Sequence, residues 1–381
     1  MSRNISPILP GATLGMLGGG QLGRMFSLAA SRLGYKVIVF APESDSPAGE
    51  VSYQHICAPY EDEERLLKFA RDVAVISLEF ENIPVATLER VSELAPVRPG
   101  PKVLAVSQHR IKEKSTLQAA GFLVTPFLPV EPDTDLTKVA QELGLPLVLK
   151  TVQFGYDGKG QEIVRSLDQL QSARQNLGDG LLIAETMIDF RAEVSILVAR
   201  NPQGETVVYP LVENEHRNHI LDVTRCPVSS ELLALDHAAQ QIALGVADTL
   251  QLEGLLCIEF FVAGDQLMIN EIAPRPHNSG HWTIEGCVTS QFEQQVRAIC
   301  NLPLGSTELV GPCAMVNILG DLWGTGSPDW KLAMQQARTY LHLYGKSKAV
   351  AGRKMGHITQ LADSSRQASA NLRNLREAMK G

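Results

Sequence analysis

The sequence predicts an α/β protein of more than one domain, with a doubly wound parallel sheet near its N-terminus. Strand and helix patterns alternate over about the first 100 residues, the segment PVRPGPKV then breaks the alternation, and mostly strand patterns follow. At 381 residues the chain is long enough for two or three domains with a sizeable core. We therefore expect an N-terminal unit at 1–103, a central unit at 104–303 and a smaller C-terminal unit at 304–381.

The N-terminal elements follow one another regularly along the chain. ATLGML, YKVIVF and VAVISLEF are short apolar segments typical of buried strands, and QLGRMFSLAASRLG and EDEERLLKFARD between them have helical periodicity. Strand–helix–strand repetition requires crossover connections, which favour a parallel sheet.

The rest of the chain is mostly strands. A helix is predicted at HRIKEKSTLQAAG, and LLCIEFFVAGDQLMINEIA is predicted to form a hairpin around Ala263-Gly264-Asp265. The other predicted strands are FLVTPFLPV, LPLVLK, QEIVRS, LLIAETMI and the two halves of EVSILVARNPQGETVVYP, then CAMVNILG, TYLHLYG and MGHITQLA in the C-terminal unit.

Composition narrows the class of protein. Hydrophobic residues make up 44% of the chain and the formal net charge is −8, so broad binding to nucleic acid or an anionic membrane is disfavoured, although a local basic pocket stays open. The six cysteines include no C-x-x-C pair, which favours buried thiols in a reducing compartment. With neither a signal-peptide pattern nor an apolar run near the ~20 residues of a membrane span, we expect a cytoplasmic protein.

A glycine-rich loop lies between the first strand and the first helix. In LGMLGGGQLGRM, Gly18, Gly20 and Gly23 form G-x-G-x-x-G, whose helix N-terminus offers free N–H groups to an anion. Dinucleotide sites also need an acid at the end of the second strand, but here Ala41-Pro42 comes first. The motif alone leaves NAD or FAD, another phosphate-bearing ligand and a structural turn open.

A second glycine-rich loop follows a strand that ends at Lys150. Gly155, Gly158 and Gly160 lie between two predicted strands, so a flexible loop can close over phosphates with Lys150 and Lys159 as cations. The loop lacks the G-K-[ST] of a Walker A motif. The alternative is a glycine-rich hairpin with solvated lysines.

Two carboxylates lie in the predicted hairpin. Glu259 and Glu271 are placed on one face if the hairpin loop has an odd length, which Ala263-Gly264-Asp265 would supply. Two carboxylates on an apolar face repel unless a cation lies between them, and Mg²⁺ prefers such ligands. The alternative is that each acid pairs with a nearby Lys or Arg.

Six motifs together resemble the ATP-grasp superfamily and, within it, the N5-carboxyaminoimidazole ribonucleotide synthetases. They are GMLGGGQLGRM, SLEFENIP, GYDGKGQ, ENEHRNHI, NEIAPRPHNSGH and YGKSKAVAGRKMGHIT. The resemblance implies an ATP-grasp fold with an N-terminal Rossmann-like domain, a central domain whose lid spans about 125–190, and a small β-rich C-terminal subdomain. It implies a ligase of purine biosynthesis that carboxylates 5-aminoimidazole ribonucleotide with ATP and bicarbonate, through carboxyphosphate, and releases ADP and phosphate.

The resemblance also implies site residues. For ATP these are phosphate contacts from Arg110 and Lys150, a closing loop of Gly155, Tyr156, Asp157, Gly158, Lys159, Gly160 and Gln161, an adenine hinge of Glu185, Thr186, Met187 and Ile188, and further contacts from Glu193, His216, Asn270 and Glu271. For Mg²⁺ or Mn²⁺ they are Glu259 and Glu271. For catalysis they are Arg275, His277, Asn278 and Lys159. For the ribonucleotide they are Gly20, Gln21, Glu79, Asn82, Tyr156, Asp157, Lys346 and Arg353.

The sequence leaves several alternatives to this interpretation open. His277 and His281 form H-x-x-x-H, a spacing also found in zinc sites, although Asn-Ser-Gly between them is poor helix material. Lys346, Lys348, Arg353 and Lys354 could be a solvated strand edge. The rival functions are a sister ATP-grasp enzyme, such as a formate-dependent glycinamide ribonucleotide transformylase or a biotin carboxylase, and an NAD(P)-dependent oxidoreductase.

The family resemblance also suggests partners. It implies a homodimer that uses neither biotin nor NAD, binds no nucleic acid and no membrane, and passes its product to a mutase of the same pathway. With the ATP machinery placed elsewhere, the first glycine loop is expected to face the ribonucleotide.

Overall fold

A computed structural model describes residues 6–153, 155, 158–324 and 326–380. Its N-terminal part contains the parallel sheet expected from the alternating pattern. Strands β1 (Thr13–Leu17), β2 (Lys36–Ala41), β3 (Gln54–Cys57) and β4 (Ile76–Leu78) lie in the order β3-β2-β1-β4, all parallel. Helices α1 (Gln21–Arg32), α2 (Glu63–Arg71), α3 (Val85–Ser92) and α4 (Pro101–Ser107) connect or follow them. Apolar clusters on both faces bury β1 and β2, as a parallel sheet requires.

The second sheet belongs to the segment predicted as a lid. After α5 (Arg110–Ala119), strands β5 (Phe127–Val130), β6 (Leu147–Thr151), β7 (Gln161–Val164) and β8 (Leu182–Thr186) form the antiparallel order β5-β8-β6-β7. Helices α6 (Leu136–Leu143) and α7 (Leu170–Leu177) pack their apolar sides against it in one core. The second glycine loop connects β6 to β7.

The third sheet has nine strands and continues through both the central and the C-terminal segments. Its order is β14-β13-β9-β11-β12-β15-β17-β16, with β10 paired to β9. The strands are β9 (Ala192–Arg200), β10 (Thr206–Val208), β11 (Val212–Arg217), β12 (Ile220–Cys226), β13 (Gly254–Ala263), β14 (Gln266–Ala273), β15 (Cys313–Leu319), β16 (Thr339–Leu343) and β17 (Lys354–Leu361). Because β12 pairs with β15, the C-terminal strands extend the central sheet.

The helices around this sheet bury its two faces. They are α8 (Asp236–Thr249), α9 (Thr283–Gly286), α10 (Gln291–Ile299), α11 (Trp330–Met334) and α12 (Ser365–Ala378). The inner face of α8 packs on β9 and β13, and α12 packs on β15 and β17. Cys226, Cys257, Cys287, Cys300 and Cys313 are buried in or beside these layers, whereas Cys57 is exposed.

The hairpin of β13 and β14 has a different register from the one expected. Ala263 pairs with Gln266, so the turn has two residues, Gly264-Asp265, and the predicted three-residue loop is wrong. A β-bulge at Asn270 supplies the odd residue instead, because the partner of Glu259 is Glu271 while that of Phe260 is Ile269. The two carboxylates therefore oppose each other directly, as the acidic pair was expected to do, but through a different irregularity.

The fold class expected from the sequence is confirmed: a mixed α/β chain with a parallel N-terminal sheet and mainly antiparallel sheets after it. Among the described helices, none combines the length and apolar character needed to cross a bilayer.

Candidate active site

One cleft of about 940 Å³ collects side chains from all three sheets and their loops. Residues expected at the nucleotide and metal that line it are Arg110, Lys150, Gly155, Gly158, Lys159, Gln161, Glu185, Thr186, Met187, Ile188, Glu193, His216, Glu259, Asn270 and Glu271. Those expected at the other substrates that line it are Gln21, Glu79, Asn82, Arg275, His277 and Asn278. A site predicted in separate motifs is thus brought into one space.

Four predicted residues are not in the wall of this cleft: Gly20, Gly160, Lys346 and Arg353. In the loop between β16 and β17, Lys346 Nζ donates to the Lys354 carbonyl at 2.7 Å, and Arg353 Nη1 donates to the Lys348 carbonyl at 3.0 Å. Lys354, considered earlier only as part of a solvated edge, lines the cleft. Tyr156 and Asp157 lie outside the described residues, so their expected contacts stay predictions.

A buried ion cluster joins the lid to α5. Glu185, at 2% exposure, contacts Lys150 Nζ at 2.7 Å and Lys114 Nζ at 3.6 Å. Burial alone would raise the pKa of Glu185, but the two ammonium groups outweigh it and lower the pKa to about 2. Lys114 Nζ also donates to the Asn270 carbonyl at 2.9 Å, which ties α5 to the bulge.

Lys114 was missed in the sequence because a lysine on an amphipathic helix ordinarily faces water. Its position one turn after Arg110 is the one signal in the sequence that both cations lie on the same face of α5. Glu185 was expected within the adenine hinge. Its carboxylate is instead paired with Lys114 and Lys150.

The opposed carboxylates of β13 and β14 already have cationic neighbours. Glu271 Oε2 accepts from Arg110 Nη1 at 3.0 Å, and Glu259 Oε1 lies 3.1 Å from His277 Nε2. Burial would raise the pKa of Glu259, but His277 lowers it; burial would lower that of His277, but Cys257 and Glu259 raise it. The pairing with Lys or Arg considered as the alternative to a metal is therefore present at Glu271, whereas the partner of Glu259 is a histidine.

The same donors also fit a hard divalent cation. Each ion pair uses one carboxylate oxygen, which leaves Glu259 Oε2 and Glu271 Oε1 outside these contacts. Asn270, on the bulge between them, has a buried Oδ1 that accepts no hydrogen bond within the described chain. Two carboxylates and an amide oxygen form an oxygen-only donor set of the kind that Mg²⁺ takes together with substrate phosphates and water.

Zinc is not supported by the arrangement of the two histidines. His277 faces Glu259 and Ser279, whereas His281 Nδ1 contacts Gln291 Nε2 at 2.9 Å. Across the described ranges, no group of three or more His, Cys, Asp or Glu side chains has the arrangement of a metal site.

The loop after β14 carries the groups expected at the carboxyl donor. Arg275 Nη2 lies 2.5 Å from Glu81 Oε1, so the guanidinium is fixed against the segment that follows β4. Asn278 forms a reciprocal amide pair with Asn317 of β15, at 3.0 and 2.7 Å. This pair fixes the orientation of the Asn278 amide on β15 and uses one of its two N–H donors and one of its two oxygen lone pairs.

The first glycine loop holds a carboxylate from its own chain. Glu79, just after β4, accepts hydrogen bonds from Gly20 N and from Gly23 N, the latter at 2.7 Å. Gly18 has φ of +110°, and a Cβ there would overlap Glu79 Cγ. The N–H groups that a dinucleotide site offers to a pyrophosphate are thus directed at Glu79, whose side chain also lines the cleft.

An aromatic pair forms another part of the wall. Phe190 and Phe261 stack with ring centroids 4.6 Å apart and planes 12° apart, and both line the cleft. Nearby, His216 Nδ1 lies 2.8 Å from Glu193 Oε2. Burial would lower the pKa of His216, but Glu193 outweighs it and raises the pKa. An apolar ring wall beside a polar pair suits a nucleoside, whose base is flat and whose sugar carries hydroxyls.

Known proteins resemble the chain throughout. Three family models match in succession: ribonucleotide synthetase preATP-grasp domain at residues 11–108, ATP-grasp domain at 115–292, and phosphoribosylaminoimidazole carboxylase C-terminal domain at 313–371. N5-carboxyaminoimidazole ribonucleotide synthase of Bacillus subtilis (strain 168) is 43% identical over 360 residues, which cover 94% of this chain and 93% of that protein.

Solved structures agree with these matches. N5-carboxyaminoimidazole ribonucleotide synthetase from Thermus thermophilus has a TM-score of 0.89 at 40% identity, over 97% of this chain and 99% of that one. N5-carboxyaminoimidazole synthase from Aspergillus clavatus, in complex with ADP and 5-aminoimidazole ribonucleotide, has a TM-score of 0.87 at 31% identity, over 97% and 98%.

Proposed function

The chain belongs to the N5-carboxyaminoimidazole ribonucleotide synthases, a family of ATP-grasp ligases, and we propose that it works as one. In this reaction ATP and bicarbonate carboxylate the exocyclic amine of 5-aminoimidazole ribonucleotide, and ADP and phosphate are released. The observation that carries the proposal is one cleft in which cations suited to ATP lie beside the Arg275–His277 loop.

Two bond exchanges account for the proposed reaction. A bicarbonate oxygen attacks the γ-phosphorus of ATP, the bond from that phosphorus to the ADP oxygen breaks, and carboxyphosphate forms. The amine nitrogen of the ribonucleotide then attacks the carboxyl carbon, the carbon–oxygen bond to phosphate breaks, and phosphate leaves with the proton that the amine gives up. Both steps move negative charge, so fixed cations are the main contribution that a protein can make.

The nucleotide half of the site is assigned to the lid and α5. Arg110 and Lys150 neutralise the phosphates, with Lys159 and the Gly155–Gln161 loop closing over them. The backbone of Glu185 to Ile188 reads adenine beside the Phe190–Phe261 pair, and Glu193 with His216 holds the ribose. The buried Glu185 cluster supports this division, because Lys150 is already oriented by a carboxylate on the neighbouring strand.

Glu259 and Glu271, with Asn270 between them, are the residues that would hold Mg²⁺. A divalent ion held there would neutralise negative charge on the phosphates of ATP. Arg110 forms an ion pair with Glu271, so its guanidinium is held beside the site assigned to the phosphates.

The carboxyl-transfer half is assigned to the loop after β14. Arg275, fixed by Glu81, and His277, paired with Glu259, face the cleft and hold the anionic carboxyl group. Asn278 acts by fixing the loop on β15. For the ribonucleotide, we assign Gly20, Gln21, Glu79, Asn82, Tyr156, Asp157, Lys346 and Arg353.

Further assignments follow from the family. We propose the three units at 1–103, 104–303 and 304–381, action in the cytoplasm as a homodimer, and transfer of the product to a mutase of the same pathway. Light scattering of the purified chain tests the dimer: a mass near 83 kDa supports it and one near the 41.5 kDa of the single chain refutes it.

The test of function is ADP release with substrates omitted one at a time. Release should require ATP, Mg²⁺, bicarbonate and the aminoimidazole ribonucleotide together. Release that requires formate and glycinamide ribonucleotide instead would assign the chain to a sister ATP-grasp activity. Saturable micromolar binding of NAD(P)H, followed by its fluorescence, would favour the oxidoreductase.

A further inference from the structure

Gln291, the first residue of α10, contacts the loop after β14, although none of the sequence motifs includes it. Its side chain is fully buried. Oε1 accepts from His277 N at 2.9 Å, while Nε2 donates to the His277 carbonyl at 2.9 Å and lies 2.9 Å from His281 Nδ1. One amide therefore uses its acceptor and both of its donor hydrogens on two histidines of the same loop.

These contacts allow one orientation of the amide. A backbone N–H can only donate and a carbonyl can only accept, so His277 fixes which end of Gln291 is the oxygen. The NH₂ group must then face His281, and Nδ1 of His281 must accept. In a neutral ring the proton is consequently on Nε2, on the side of the ring turned away from Gln291.

The surroundings keep the His281 ring neutral and in place. Burial lowers its pKa well below the usual value, and the nearby positive charge of His277 adds to this. Phe292 and His357 lie 5.6 and 4.9 Å from its ring centroid. A Cβ on Gly280 would come within 2.5 Å of Gln291 Oε1, so the loop and the amide are packed tightly against each other.

We propose that Gln291 is a positioning residue that holds His281 as a neutral Nε2–H donor toward an oxyanion bound beside His277. His281 lines the cleft together with His277 and Arg275. An uncharged donor contributes to orientation without adding a further cation beside Arg275 and His277. This inference rests on the proposed function, and the oxyanion is either the bicarbonate-derived carboxyl group or the phosphate of the ribonucleotide.

The proton position can be measured in the wild-type protein. ¹⁵N-labelled histidine and long-range ¹H–¹⁵N spectra of the imidazole rings report which nitrogen carries hydrogen, and the signal lost in His281→Gln identifies the ring. We expect Nε2–H with unprotonated Nδ1 at neutral pH. An Nδ1–H tautomer or an imidazolium at this ring would overturn the proposal.

Gln291→Glu tests the positioning role with little change of shape. The carboxylate can still accept from His277 N, but its second oxygen can donate neither to the His277 carbonyl nor to His281, so the His281 ring must carry hydrogen on Nδ1. We expect that change in the spectrum and a loss of kcat/KM on the order of 10- to 100-fold. Gln241→Glu, on the exposed face of α8, is the matched control.

The kinetic constants identify the oxyanion. A higher KM for bicarbonate points to the carboxyl group, and a higher KM for the ribonucleotide points to its phosphate. A kcat/KM of Gln291→Glu within twofold of that of Gln241→Glu would refute the proposal. Loss of activity in Gln291→Glu while His281 keeps its wild-type tautomer would also refute it. If this variant does not fold, His281→Phe and His281→Gln decide: the glutamine, which keeps a donor, should retain at least tenfold more activity.

Failure of this inference is separable from failure of the proposed function. If the wild type releases no ADP with bicarbonate and the ribonucleotide, the function is wrong whatever the tautomer. If it does release ADP while His281 carries hydrogen on Nδ1, the function stands and the role given to Gln291 is wrong.

Discussion

Glu185→Gln should destabilise the folded protein by an amount that depends on pH. Glutamine has the shape of the protonated acid, so the substitution removes the charge that faces Lys150 and Lys114. The pKa of Glu185 is about 2 in the fold, against an ordinary value of 4.5. This difference corresponds to about 3 kcal/mol of unfolding free energy, because each unit of pKa difference between the folded and unfolded states contributes about 1.4 kcal/mol. Breaking one partner of a buried ion pair gives a similar estimate, about 3–5 kcal/mol.

The sign of the pH dependence follows from the lowered pKa. A carboxyl whose pKa is depressed by folding stabilises the fold above its unfolded pKa, and this contribution is lost as pH falls through its folded pKa. The difference in unfolding free energy between wild type and Glu185→Gln should therefore have its full value at pH 7. It should shrink between about pH 4.5 and pH 2 and be about 1 kcal/mol at pH 3.

Urea denaturation followed by circular dichroism at pH 7 and pH 3 measures the two differences. Glu142→Gln, on the exposed side of α6 in the same segment, is the matched control and should change the free energy by less than about 0.5 kcal/mol at either pH. A Glu185→Gln effect below about 1 kcal/mol at pH 7, or one equal at the two pH values, would show that the ion cluster does not carry this stability.

Three further substitutions test other parts of the site. Gly18→Ala should cost about 2 kcal/mol or more in urea denaturation, because its Cβ overlaps Glu79; Gly11→Ala, also at positive φ but with open space around its Cβ, is the control, and equal losses would refute the contact. Glu271→Gln should lower kcat about 100-fold in the ADP-release assay at saturating Mg²⁺, and near-normal turnover would refute the metal assignment. Lys346→Ala should raise KM for the ribonucleotide about tenfold, and an effect seen with Lys354→Ala alone would move the phosphate contact to Lys354.

Much of the fold could be predicted because its signals are local. Apolar runs of strand length and helical periodicity lie within single segments, and VAVISLEF or LPLVLK indicates a strand without reference to the rest of the chain. The pairing of β12 with β15 could not be predicted in this way. Cys226 and Cys313 are partners in that ladder although 87 positions separate them, and no periodicity in either segment specifies the other.

The acidic pair shows a prediction that was right about placement and wrong about cause. Opposed carboxylates require one odd residue somewhere between Glu259 and Glu271, and sequence reasoning assigned it to the turn. The structure has it at Asn270, whose buried side-chain oxygen accepts no hydrogen bond within the described residues. A bulge adds a potential ligand to the site, which a longer turn would not do, and local patterns do not distinguish the two.

The first glycine loop shows the limit of a motif most clearly. G-x-G-x-x-G correctly indicates a strand, a tight turn and a helix whose N-terminus attracts an anion. The anion held there is Glu79, which lies 59 positions after Gly20 in sequence but directly beside it, because β4 pairs with β1. A carboxylate of the chain itself needs the same glycines as a pyrophosphate does, since either must approach the backbone closely. The glycine spacing therefore predicts the geometry of the loop, and the identity of the anion depends on the residue that follows the neighbouring strand.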